Sequence, residues 1–154
     1  MGNPHSRNHL PELTSTLLKN LLLLSALLFP LQLATASFHG WTDSQCLASA
    51  IHYEARGEPL AGRRAVLDTI TNRMLATGKS ACGVVLQRGQ FSWSKSKPLL
   101  EYNSKQKKIL SETLKHPRVL INENHTYFYS GSKPYWAHDM TCKRIYNQTF
   151  CRGK

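Results

Sequence analysis

Glu54 is the residue in this sequence best placed to do chemistry. It ends an apolar stripe, Leu47, Ala50, Ile51, Glu54, with the i, i+3, i+4, i+7 spacing that lines one face of an α-helix. A carboxyl group on a core-facing stripe loses water, and loss of water favours its protonated form. A glutamic acid held protonated near neutral pH can give a proton to a glycosidic oxygen. Directly after it come Ala55-Arg56-Gly57-Glu58-Pro59, charges mixed with chain-breakers. Glu58 in that cluster either faces the dipole of the next helix or contacts substrate. Further along, Gln90-Phe91-Ser92-Trp93 puts an amide, a hydroxyl and aromatic faces in one short segment. That combination suits a sugar groove as well as it suits a structural turn.

The elements that must position these residues are legible from caps and breakers. Thr42 or Asp43 can cap a first helix that runs to about Ala55 and stops at Gly57. Pro59 fits the first position of a second helix, where no N–H is needed. That helix carries Val66, Leu67, Ile70 and Met74 on one face and ends at Gly78. Arg64 and Asp68 make an i, i+4 pair on its other face and read as solvated decoration; Asn72 and Arg73 read as helix-surface polar residues. Val84-Val85-Leu86 is a short apolar piece. A third helix is expected from about Ser104 to Lys115, closed by His116-Pro117. Beyond Pro117 the aromatic, β-prone runs Tyr127-Phe128-Tyr129, Tyr135-Trp136 and Ile145 to Phe150 point to loops and a small hairpin. Trp136 reads as core.

Length and composition bound the rest. A chain of 154 residues holds one modest domain. Residues 21–33 are almost wholly apolar, and Ala34-Thr35-Ala36 supplies the small residues of a cleavage site. Residues 1–36 are therefore expected to be a signal peptide, with residues 37–154 the working domain. An uncleaved membrane anchor is the alternative, but the apolar run falls short of the roughly 20 residues a spanning helix needs, and Pro30 interrupts it. The formal net charge of +11 becomes +10 once Arg7, Lys19 and Glu12 are removed, which draws a secreted protein to anionic surfaces or simply keeps it soluble. Cys46, Cys82, Cys142 and Cys151 imply two disulfides in an exported chain. A hairpin turning at Tyr146-Asn147 would set Cys142 opposite Cys151 and leave Cys46 for Cys82. No Cys-x-x-Cys spacing suggests structural zinc. His52-Tyr53-Glu54 lacks the Pro-Cys-x-x-Cys partner of a zinc deaminase.

In order, Ala50-Ile51-His52-Tyr53-Glu54-Ala55-Arg56-Gly57-Glu58-Pro59, Ala65-Val66 through Thr71-Asn72-Arg73, Cys82 to Gln87 with Gln90-Phe91-Ser92-Trp93, and Thr126 to Tyr129 with Pro134-Tyr135-Trp136-Ala137 resemble the SleB-type cell wall hydrolases. The resemblance spans Cys46 to Phe150. It implies an α+β, lysozyme-like single domain, mostly helical with a small β-hairpin region near the C-terminus, that cleaves the glycan strands of peptidoglycan between N-acetylmuramic acid and N-acetylglucosamine. It implies that Glu54 is the catalytic acid and that Tyr129 lies near it. It also implies lytic transglycosylase chemistry, in which one glutamate suffices. The chain departs from the family where Ile-Gly-Asn-His-x-Phe is expected and Ile145-Tyr146-Asn147-Gln148-Thr149-Phe150 stands instead.

The expected site is therefore Glu54 for catalysis, with Glu58, Gln90, Phe91, Ser92 and Tyr129 for substrate, and with no metal or cofactor. The expected partner is the peptidoglycan glycan strand, not nucleic acid. The membrane is met only through the signal segment, and the protein is a secreted or periplasmic monomer. Two rivals stand beside this reading. One is a non-catalytic cationic wall-binding protein that keeps the fold. The other is a zinc amidase built from His52, His125 or His138 with Asp139, for which no ligand spacing is recognisable.

Overall fold

The computed structural model describes residues 40–120, 122 and 124–153; the expected signal segment lies outside them. Among the described residues four α-helices precede a three-stranded sheet. Helix α1 is Asp43–Ala55, and its N-terminus is closed by a capping box in which the Thr42 hydroxyl accepts from Gln45 N and the Gln45 side chain accepts from Thr42 N. Helix α2 is Leu60–Thr77. Pro59 is its N-cap, one residue earlier than the sequence suggested, and Gly78 ends it at φ 67° with its N–H on Met74 O. Val84 and Val85 belong to a short helix, α3 (Ala81–Val85), capped by Ser80. Helix α4 is Ser104–Lys115, capped by Asn103.

Strands β1 (His125–Ser130), β2 (Thr141–Ile145) and β3 (Gln148–Arg152) form an antiparallel sheet in the order β1-β3-β2. A single 3₁₀ turn, Tyr135–Ala137, lies between β1 and β2. The expected hairpin is thus β2–β3, and it gains a third strand from the Tyr127-Phe128-Tyr129 segment. Cys142 and Cys151 are register partners and are joined, while Cys46 in α1 is joined to Cys82 in α3. Cross-links of this kind typically contribute 2–4 kcal/mol, roughly, by limiting the unfolded chain.

Helix α1 packs against α2, α3 and α4, so it is buried on more than one stripe: Cys46, Ala48, Ser49, Ala50, Ile51 and Ala55 are all inside. The small side chains at 48–50 let its neighbours approach closely. The main core joins α1, α2 and α3 to Phe91, Trp93 and Phe150; Ile51, Leu67 and Leu110 form a second cluster toward α4.

Three polar residues of α2 overturn the surface reading. Asp68 is not solvated decoration. It is 1 % exposed and accepts from Arg64 Nε (2.9 Å), Arg118 Nε (3.2 Å), Val119 N (2.9 Å) and Leu120 N (3.1 Å). Asn72 is fully buried and donates to the carbonyls of Asn122 and His125. Arg73 is partly buried and donates to Thr126 O at the start of the sheet. Together they fasten the chain between α4 and β1 onto α2.

At the tip of the β2–β3 hairpin Tyr146 has φ 54°, the left-handed region that suits glycine. Its ring is half-exposed. Tyr146→Gly should therefore raise stability by about 1 kcal/mol through relief of backbone strain, less a few tenths for the added freedom of the unfolded chain. Urea unfolding at constant slope measures it, and a lower midpoint for the variant would contradict the strain argument.

Candidate active site

Glu54 lies in the last turn of α1 and is partly buried. Its position is set from both sides. Ala55 is in the core beneath it, and Gln148 Nε2 on β3 donates to the Glu54 carbonyl at 2.8 Å. Burial raises the carboxyl pKa above its ordinary value; the Trp93 indole and the Arg73 guanidinium pull in the opposite direction and do not cancel the rise. The indole N–H of Trp93 faces the carboxyl loosely. It is buried and short of full hydrogen-bond geometry with any group.

Trp93 belongs to the 3₁₀ turn Ser92–Lys95 and stacks on Tyr53 with ring centroids 4.6 Å apart. Tyr53 is itself anchored by its hydroxyl to Pro98 O at 2.9 Å. Arg73 crosses over the Phe91 ring, 5.4 Å from its centroid. One Arg73 Nη lies buried without a partner.

Two adjoining cavities of about 240 and 250 Å³ form a groove beside this cluster. Arg73, Gln90 and Tyr127 line both; Phe128, Gly89 and Trp136 complete one, and Thr126 and Gln87 are among the walls of the other. Glu54 lines neither cavity. It connects to the groove through Arg73, close enough for each charge to act on the other.

The other expected site residues fall at different depths. Gln90 lines the groove. Tyr129 meets Trp136 edge-on at 5.8 Å, and Tyr127 packs on the same indole at 5.8 Å. Phe128 points the other way, toward Phe91 and Phe150, as strand alternation requires. Phe91 is 2 % exposed and supports Arg73 from below. Ser92 is exposed at the start of the Trp93 turn. Glu58 is buried. It packs on Gly62, where an added Cβ would lie 2.8 Å from its own Cβ, and its Oε2 lies 3.5 Å from Asn147 N. Its carboxylate is thus engaged by the start of α2 and the hairpin tip.

Arg73 and Trp136 line the groove, although the sequence reads one as helix surface and the other as core. For Arg73 the sequence carries no local signal: its partner, Thr126 O, lies 53 residues further on. Trp136 is 45 % exposed rather than core, because Pro134 and the 3₁₀ turn carry it to the rim of the groove. Among the described residues no three His, Cys, Asp or Glu side chains converge as metal ligands would.

The crystal structure of the catalytic domain of the Bacillus cereus SleB protein is similar to this fold, with a TM-score of 0.58 and 25 % identity, covering 71 % of this chain and 89 % of that one. No curated protein matches the chain. A family model described as cell wall hydrolase matches residues 57–151, beginning three residues after Glu54. The match takes in well over half the sequence, including the groove and all of the sheet but its last residue, and the chain belongs to the cell wall hydrolase family.

Proposed function

We propose that this protein cuts the glycan backbone of peptidoglycan between N-acetylmuramic acid and N-acetylglucosamine, as a lytic transglycosylase with Glu54 as its only acid and base. The observation that carries the reading is a desolvated carboxyl group, held by α1 and β3, one residue away from an aromatic-rimmed groove. Family membership supports a wall substrate. Glu54 protonates the leaving oxygen. As a carboxylate it then draws the proton from the sugar's own 6-hydroxyl, which closes an anhydro ring without water. A two-carboxylate glycosidase needs a partner at roughly 5–9.5 Å. The charge that acts on Glu54 is an arginine, not a second carboxylate, which favours the single-acid route. Residues 1–36 act as the export signal, which fits a domain in which all four cysteines are paired.

Mass spectrometry of peptidoglycan digested by residues 37–154 tests the reaction. Anhydro-muramyl ends are the expected products. Reducing ends would replace the intramolecular step with hydrolysis, and intact glycan would leave a wall-binding protein without catalysis.

Trp136, with Tyr127 and Tyr129 packed on it, offers a sugar an exposed ring face at the groove's rim. Trp136→Ala should cost binding about 1 kcal/mol, a several-fold rise in KM with kcat little changed. Steady-state rates on isolated glycan strands read this split. An unchanged KM would remove Trp136 from the substrate path.

A further inference from the structure

A second cavity, of about 290 Å³, opens on the side of α1 away from Glu54. It is lined by Ile51, His52, Arg56, Arg63, Lys105 and Ile109. His52 stands two positions from Glu54, about 200° around the helix, and this cavity shares no lining residue with the groove. Its apolar floor is the partly exposed Ile109, with Ile51 fully buried beneath it, and its walls are cationic. Among the described residues no carboxylate forms an ion pair with Arg56, Arg63 or Lys105. Arg63 is tied across the loop by a bond from its Nη2 to the backbone carbonyl of Arg56 at 3.3 Å, and the Arg56 and Lys105 side chains stand exposed beside it. The imidazole of His52 reports the crowding, since burial first, and then Arg56, Lys105 and Lys97, lower its pKa. Like charges gathered at one concave site repel until an anion enters.

We infer that this cavity is a binding site, separate from the groove, for a flexible polymer strand that carries phosphate groups. Guanidinium forks match phosphate oxygens, and three neighbouring cations suit repeated charge better than a lone carboxylate. Ile109, the partly exposed isoleucine of the lining, takes the strand's carbon backbone. A concave opening admits a single strand, whereas a membrane presents a broad surface that cannot enter it.

The test is binding of polyphosphate of defined chain length to the full domain at fixed physiological salt, read by calorimetry. The double variant Arg56→Gln/Lys105→Gln should weaken binding at least tenfold. Lys95→Gln/Lys143→Gln, exposed lysines outside the cavity with the same loss of charge, should change it less than twofold. Glycan cleavage should be unchanged in both variants. Equal weakening in the two variants would reduce the site to net charge. Tighter binding of poly-glutamate would make it a carboxylate site. Binding to phosphatidylglycerol vesicles with the same residue dependence would make it a membrane contact. No measurable binding of polyphosphate would leave no site at all. Each of these four outcomes overturns the proposal.

Discussion

Glu54→Gln should lower kcat/KM for glycan cleavage by about 10²- to 10⁴-fold, the usual contribution of a general acid or base, while the protein stays folded. The amide keeps the shape of the side chain and can neither give nor take the proton. Stability follows from the sign of the shift. Burial raises the folded-state pKa of Glu54, so the folded protein holds the proton more tightly than the unfolded chain does. The protonated form's advantage is complete below the ordinary carboxylate range and is lost as pH rises through the folded-state value. At neutral pH the variant should thus unfold no more easily than the parent, and in acid its relative gain should shrink. Activity follows the same group: the alkaline limb of kcat/KM should lie above the ordinary glutamate range, because the acid form is the one that works. Thermal melts across pH and a pH–rate profile measure both. A glutamine variant that still releases glycan fragments at the parent rate would transfer the acid role elsewhere.

Asp68→Ala should cost about 3–5 kcal/mol, as removal of one partner from a buried ion pair does. Its two oxygens serve two arginines and two backbone N–H groups. The alanine variant leaves the Val119 and Leu120 N–H groups inside the protein without acceptors, and Leu120 is 1 % exposed. It also strands Arg64 and Arg118 beside the empty position. Against a total stability of roughly 5–15 kcal/mol for a domain, that is a large share. Urea unfolding should show it as a lowered midpoint, and a loss below about 1 kcal/mol would mean that water replaces the carboxylate.

What could be read from the sequence was local. Thr42 with Gln45, Gly78 and Pro117 mark helix ends within a few residues of the elements they close, so α1, α2 and α4 were legible. The pairing of Cys142 with Cys151 followed from a hairpin whose turn lies between them. Asp68 and Asn72 were misread for the opposite reason. Their partners lie some fifty residues further on, at Arg118 to His125, and nothing near them in sequence announces a buried face. Trp136 shows the limit of hydrophobicity as a guide: an indole belongs inside only if its segment has a second layer to cover it, and a three-residue turn after Pro134 has none. The half-buried place of Glu54 was legible because its stripe, unlike that of Asp68, is broken by a single charged residue at its end. Arg73, which ties it to the groove, was not.

Strand β3 lies in the middle of the sheet yet follows both of its neighbours along the chain. Its first residue, Gln148, is also the one that grips the end of α1 at Glu54. While the ribosome is still making the polypeptide, the helices can already be present, but the outer strands have nothing between them and the acid has no brace. The brace on Glu54 is therefore the final thing the molecule acquires, and it arrives with the strand that completes the sheet.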